Sequence, residues 1–119
     1  MFEKMSESEG NVVGFRAVGH LHKEDYQDLT DQVHALVNRE GAIGLLFDCE
    51  KFESEGPGVW ATDFKFGQTF RNKIKKLAIV GDKGWQHLLA NLADPFYGQE
   101  SKFFHTADRA AAWEWLKAN

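Results

Sequence analysis

The strongest constraint on the fold of this 119-residue chain is a pair of short apolar runs, at residues 43–47 and 77–80. Apart from Gly44, both runs are apolar on successive residues, whereas a strand with one face in water alternates apolar and polar side chains. A strand that is apolar on both faces has to be covered on both faces, which is typical of parallel sheets. We therefore expect the two runs to be neighbouring strands at the centre of such a sheet.

The residues before the first run predict a hairpin followed by a helix. Two strands, at residues 2–7 and 12–19, flank a turn in which Gly10-Asn11 tolerates the positive φ of tight hairpins. Helical spacing then places apolar side chains on one stripe, and Gly41 can end the helix. That stripe consists of Tyr26, Leu29, Val33, Leu36 and Val37.

The rest of the chain alternates between strand and helix. A loop at residues 50–58 leads to a helix at 59–73, and the second apolar run leads to a short helix that begins near Trp85. A strand at 102–105 and a final helix, which Thr106 can cap, follow. The order β-β-α-β-α-β-α-β-α predicts an α/β fold with a mixed, mostly parallel five-stranded sheet and about four helices, forming one domain over residues 1–119.

Composition narrows the class of protein. The chain is 43% hydrophobic and 27% charged, which is typical of a globular protein. Lys and Arg number 14 against 18 Asp and Glu, for a net charge of −4, which disfavours binding to nucleic acid or to an anionic membrane. Cys49 is the single cysteine, and no apolar stretch approaches the ~20 residues of a membrane span. We expect a soluble cytoplasmic domain without integral membrane association.

Three motifs carry groups used in catalysis or metal binding, and none is complete. The turn at residues 81–85 lacks the glycine spacing of nucleotide-binding loops. His20 and His22 have carboxylates nearby, but no second cluster completes a four-ligand metal site. Cys49 lies between two carboxylates, which disfavour the thiolate that a nucleophile requires. We therefore expect a non-enzymatic protein with no metal ion and no cofactor.

Aromatic side chains are the most distinctive feature of the middle of the chain. On a helix at 59–73 they would form a broad apolar surface, able to close over an apolar cavity. The rings predicted to line this ligand-binding groove are Trp60, Phe64, Phe66, Phe70 and Trp85. The segment before the helix, Gly56, Pro57 and Gly58, is the predicted hinge of this lid. The alternative is that the rings simply pack on the sheet.

Several of these features together resemble the SpoIIAA-like family of small bacterial proteins. The resemblance rests on the strand ending Phe47-Asp48, the aromatic segment with Trp60 and Asp63-Phe64-Lys65-Phe66, and the run at residues 76–85. That family is grouped with the STAS domains and, by fold, with the CRAL-TRIO lipid-binding domains. The resemblance implies a STAS-like fold and a non-enzymatic domain that binds an apolar ligand or a protein partner.

One position departs from the STAS pattern. In STAS anti-sigma antagonists, an Asp-Ser pair begins the helix after the third strand, and phosphorylation of its serine controls partner binding. Here Pro57 or Gly58 occupies about that place, and Ser54 falls several residues early. We therefore expect no phosphoserine switch at the start of that helix.

Two functions remain as hypotheses. The first is a carrier or sensor of a small apolar, lipid-like ligand held under a mobile aromatic helix. The second is a STAS-type protein-interaction module without the phosphoserine switch, in which an acidic lip contacts a basic partner. The lip consists of Glu50, Glu53, Ser54 and Glu55. The oligomeric state stays open, with a homodimer among the alternatives.

Overall fold

The computed structural model describes residues 1–55, 72–81 and 100–118, with only the backbone described at 52–55 and 101. Within these ranges the chain forms five strands and two α-helices. They are β1 (Phe2–Lys4), β2 (Val12–Leu21), α1 (Lys23–Glu40), β3 (Ile43–Glu55), β4 (Ile74–Gly81), β5 (Glu100–His105) and α2 (Arg109–Lys117), with a 3-10 turn at Thr106–Asp108 before α2. The helix predicted near Trp85 lies outside the described residues, and so does the helix predicted at 59–73 except for Asn72 and Lys73, which form a turn before β4 instead of a helix.

The strands form one mixed sheet in the order β1-β2-β3-β4-β5. β1 is antiparallel to β2, and the pairs β2–β3, β3–β4 and β4–β5 are all parallel. Leu45 pairs with Leu77 and Phe47 with Ile79, so the two apolar runs are neighbours and β3 is the central strand. The prediction drawn from those runs is confirmed.

The two helices cover opposite faces of the sheet. The α1 face is the larger core, in which Tyr26, Leu29 and Val33 pack on inward residues of β2, β3 and β4. On the other face, Trp113 and Leu116 of α2 pack on a smaller set. That set consists of Met5, Val12, Leu46, Ala78 and Val80. Because β3 and β4 carry apolar side chains toward both helices, they read as continuous apolar runs in the sequence.

The ends of α1 are fixed by local hydrogen bonds. The Asp25 carboxylate accepts a hydrogen bond from the His22 backbone N–H at 2.7 Å, just before the helix begins at Lys23. At the other end Gly41 has φ +82°, a conformation that side chains with a Cβ rarely adopt, and its N–H donates to the Val37 carbonyl. The predicted apolar stripe and end of this helix are confirmed.

We expect Asp25→Asn to lower the melting temperature at neutral pH but not in acid. Burial alone would raise the pKa of Asp25, but the His22 amide and the N-terminal ammonium 3.3 Å away hold it below its usual 3.8. A carboxylate whose folded pKa is lowered stabilises the protein above its unfolded pKa, and this contribution is lost as pH falls through the folded pKa. Melts of the parent and the variant should therefore converge below about pH 4. Asp28→Asn, on the same helix, is the control, and a difference that persists unchanged into acid would contradict the expectation.

Close approach of α2 to the sheet depends on Gly14 in β2. A Cβ at Gly14 would lie 2.5 Å from Cη2 and 2.6 Å from Cζ2 of Trp113, closer than carbon atoms approach one another. Trp113 is buried against this strand, and its indole N–H has no hydrogen-bond partner within the described structure. The glycine is thus required by the packing of the tryptophan ring rather than by backbone conformation.

Gly14→Ala is expected to destabilise the protein by about 1–3 kcal/mol, the usual cost of overpacking a core. Trp113→Phe removes the two ring atoms that the new methyl group would strike, and it sacrifices no indole hydrogen bond. The alanine should therefore cost clearly less in the Trp113→Phe background. Urea unfolding of the parent, the two single variants and the double variant measures the coupling between the two positions. If Gly14→Ala lowers the free energy of unfolding equally in both backgrounds, the contact between the two residues does not limit packing.

Lys76 of β4 binds the carboxyl end of α2. Its Nζ donates hydrogen bonds of 2.9 Å to the backbone carbonyls of Trp115 and Ala118, and it lies 5.2 Å from the centroid of the Trp115 ring. The carbonyls at the end of a helix have no partner within the helix, so a cation there satisfies them and interacts favourably with the helix dipole. The lysine therefore anchors the carboxyl end of α2 to the sheet.

Several predicted boundaries are wrong. β3 continues to Glu55 because residues beyond Asp48 pair with β2, as in Lys51 with Val18, so residues 50–55 are strand rather than loop. β1 stops at Lys4 instead of residue 7, because the chain turns after Met5. Thr106 does not cap the last helix: it begins the 3-10 turn, and its hydroxyl has no hydrogen-bond partner within the described structure.

Candidate functional site

Every residue predicted to form the aromatic groove or its hinge lies outside the described residues. The groove residues Trp60, Phe64, Phe66 and Phe70 and the hinge residues Gly56, Pro57 and Gly58 fall in 56–71, and Trp85 falls in 82–99. The groove and its lid therefore remain predictions. The described residues contain two other features with functional potential, a buried charge cluster and an open cleft.

The charge cluster centres on Asp48, the one charged side chain in the described core that is completely buried. In the sheet Asp48 lies between Arg16 of β2 and Val80 of β4. Its Oδ2 is 3.5 Å from Arg16 Nε and 2.8 Å from Arg109 Nε, and its Oδ1 accepts a 3.0 Å hydrogen bond from the Glu50 backbone N–H. Arg109, the first residue of α2, also forms an ion pair with Glu50.

The cluster is suited to holding the structure together rather than to catalysis. Its two guanidinium groups balance its two carboxylates, so it offers no excess charge to a ligand. Arg109 Nε is close to Asp48 Oδ2, yet its N–H is not aligned for a hydrogen bond, so the contact is an ion pair. The cluster fixes the first residue of α2 to the central strand.

The isolated motifs do not assemble into a reactive centre among residues 1–55, 72–81 and 100–118. No three His, Cys, Asp or Glu side chains within these ranges come together as metal ligands. The rings of His20 and His22 lie edge to face, with centroids 4.8 Å apart. Cys49, the single cysteine of the sequence, is buried. The proposals that the protein binds no metal and is not an enzyme stay untested.

The second feature is an open cleft between β1, β2 and the second half of α1, which we call the hairpin cleft. Its volume is about 210 Å³. Val13 and Phe15 of β2 and Leu36 of α1 form its apolar floor, and each is more than nine-tenths buried. The remaining lining residues are Lys4, Gln32, Ala35 and Arg39.

The hairpin cleft exists because β1 is short and one helix residue is small. β1 ends at Lys4, which pairs with Phe15, so no residue of β1 lies opposite Val13. On the helix side, Ala35 offers only a methyl group at an exposed position. The floor residues belong to the α1 core, so the cleft is preformed and does not require the core to open.

Charge in the hairpin cleft is positive at the mouth. Lys4 and Arg39 are exposed cations on its two sides, from β1 and α1 respectively. Glu40 takes part of the charge of Arg39, with its Oε2 3.1 Å from Arg39 Nε. Sequence reasoning missed this site. One feature of the sequence could have indicated it: residues 32–39 of α1 include no acidic residue, whereas Asp25, Asp28 and Asp31 lie nearer the amino end of the helix.

The sheet order and the helices on both of its faces define a mixed α/β domain. Comparison with known families identifies which α/β family this is. The chain belongs to the SpoIIAA-like family, whose model matches residues 12–117. The resemblance inferred from the sequence is thereby confirmed.

A solved structure shows the same fold. It is that of an uncharacterised protein from Shewanella loihica PV-4, of the DUF3478 family and described as having a SpoIIAA-like fold. The two chains are 25% identical, with a TM-score of 0.75, and the match covers 98% of this chain and 92% of the other. A search of curated proteins finds no match. Neither helix of the described part is long and apolar enough to cross a membrane.

Proposed function

We propose that this protein is a non-enzymatic domain that binds a small apolar, lipid-like molecule and thereby carries or senses it. The observation that supports this proposal is the hairpin cleft, which is open at its mouth and has an apolar floor formed by Val13, Phe15 and Leu36. Apolar, preformed concave sites are the usual place for small-molecule binding. The charge cluster supports a non-enzymatic function, since each of its carboxylates is held by a guanidinium group.

The size of the hairpin cleft limits its ligand. A closed apolar cavity of about 150 Å³ binds benzene, so about 210 Å³ suits one small ring or a chain of about six carbons. At about 0.5 kcal/mol per non-hydrogen atom, a ligand with about eight such atoms binds with a dissociation constant of about 1 mM. Binding of this strength is measured by nuclear magnetic resonance titration.

The test compares two alanine-to-phenylalanine variants. Ala35→Phe places a ring in the hairpin cleft from an exposed helix position, while Ala111→Phe makes the same change at an exposed position of α2. We expect hexanamide or toluene at millimolar concentration to shift the backbone amide signals of Val13, Phe15 and Leu36 in the parent and in Ala111→Phe. Ala35→Phe should lose these shifts. The proposal is wrong for this cleft if neither compound binds the parent or if Ala35→Phe binds as well as the parent.

The aromatic groove predicted around Trp60, Phe64 and Phe70 is a second location for an apolar ligand. The same titration distinguishes the two, because a ligand in that groove would shift signals of residues 59–73 and would still bind Ala35→Phe. The sequence predicts about four helices, and two of them, at 59–73 and near Trp85, would surround this groove. These two helices remain predictions, as the groove does.

A STAS-type interaction module is the alternative proposal. The observation that favours it is that β3 runs on past Asp48, its last residue paired with β4, and pairs with β2 as far as Glu55. This polar end of the β2–β3 pair includes the predicted acidic lip, although Glu50 is already paired with Arg109. Native mass spectrometry of the protein purified from its own host separates the proposals. A stoichiometric protein complex supports the module, and a bound small-molecule mass supports the ligand-binding domain.

A further inference from the structure

Resting on the proposed function, we infer that the hairpin cleft selects a monoanionic amphipathic ligand, a short-chain carboxylate whose apolar tail lies on the cleft floor. The juxtaposition that carries this inference is an apolar floor between two cations from different elements, Lys4 of β1 and Arg39 of α1. A neutral ligand would use the floor alone, whereas a carboxylate at the mouth would also use the cations.

Lys4 is the principal recognition group. It pairs with Phe15 in the sheet, which places it directly beside the floor, and it is exposed. No ion pair of Lys4 occurs among the described residues, whereas the Nε of Arg39 is already occupied by Glu40. An ammonium group is a mobile point charge that can follow a carboxylate, and a charge-assisted hydrogen bond is about twice as strong as a neutral one.

Two features of α1 oppose an anion here. The carboxyl end of α1 carries about half a negative charge, and its effect falls off beyond the last turn. Glu40 lies in that last turn and is directed to Arg39. Three acidic residues of α1, Asp25, Asp28 and Asp31, line a different cleft beside Phe2, toward the amino end of the helix. The charges along the helix therefore separate a cationic cleft from an anionic one.

The size of the hairpin cleft sets the length of the tail. A carboxylate at the mouth leaves room for a chain of about five or six carbons, or one ring, on a floor of this volume. Longer acyl chains would extend past Ala35 into water, so affinity should stop rising beyond about eight carbons.

The experiment uses hexanoate and hexanamide, which have the same tail and the same number of non-hydrogen atoms but differ in charge. Titration at pH 7 and low salt should show hexanoate binding about tenfold more tightly than hexanamide, with both shifting the amides of Val13, Phe15 and Leu36. Added salt should weaken hexanoate alone. Lys4→Met keeps the aliphatic stem and should bind hexanoate no more tightly than it binds hexanamide. Lys23→Met, at an exposed lysine at the other end of α1, should change neither.

The outcomes separate the two proposals. Equal binding of hexanoate and hexanamide in the cleft overturns the anion selectivity and leaves the proposed function standing. Absence of binding by both compounds overturns both proposals for this cleft. Tighter hexanoate binding that Lys4→Met does not weaken, or shifts that map away from Val13 and Leu36, overturns the assignment of the carboxylate to this site.

Discussion

Leu46→Asp is expected to abolish cooperative unfolding. Leu46 is fully buried on the α2 face of β3, between Gly14 and Ala78 in the sheet register. An aspartate there would place an unpaired carboxylate among apolar side chains, and the effective penalty for burying one ion is several kcal/mol. Loss of the leucine side chain adds about 2–5 kcal/mol. Together these approach the whole stability of a typical domain, about 5–15 kcal/mol.

Near-ultraviolet circular dichroism and thermal melts measure this outcome. Gln27→Asp introduces the same charge at an exposed position of α1 and should melt with the parent. The buried position of Leu46 is refuted by a Leu46→Asp variant that unfolds cooperatively near the parent temperature.

Asp48→Asn is expected to destabilise the protein by about 3 kcal/mol, at the lower end of the cost of breaking a buried ion pair. The change leaves Arg16 and Arg109 without their shared carboxylate, although their side chains keep 30% and 26% of their surface exposed and so retain some hydration. Asparagine can still accept the hydrogen bond that Asp48 Oδ1 receives from the Glu50 amide. The variant therefore removes the negative charge and also turns an NH2 donor, in place of Oδ2, toward the two guanidinium groups.

Glu50→Gln is the matched control for this charge removal. The Glu50 side chain is 40% exposed, so its ion pair with Arg109 should contribute less than about 1 kcal/mol. Urea unfolding of both variants gives the comparison. If Asp48→Asn costs no more than Glu50→Gln, the buried carboxylate does not hold α2 to the sheet.

The parts of the fold that the sequence predicts well are those where burial repeats at a fixed spacing. The apolar stripe of α1 and the apolar runs of β3 and β4 are such patterns. In each of them, an apolar side chain indicates that its face of the helix or strand is buried. The same patterns predict the order of strands and helices, which the structure confirms for the described residues. The end of β3 does not follow from its own residues: after Asp48 the strand is polar, and its extent is set by pairing with β2.

The two sites could not be predicted because they depend on register. Arg109 and Glu50 are 59 residues apart, and only the packing of α2 brings them together. A charge at the end of an apolar run, as at Asp48, is the one local sign of a buried partner. The hairpin cleft depends on where β1 stops, and that boundary was predicted three residues too late. Strand ends are set by the competition between pairing and turning, which short polar segments do not reveal.

The position of α2 after all five strands has a consequence for synthesis on the ribosome. Val12, Leu46, Ala78 and Val80 are all made before the helix that covers them, so their face of the sheet has no partner from α2 while residues 109–117 are still being added. α1, by contrast, is already complete when β3 is made. A nascent chain that lacks Trp113 and Leu116 therefore leaves these apolar side chains without their α2 contacts, and transiently exposed apolar surface of this kind makes incomplete chains prone to aggregate.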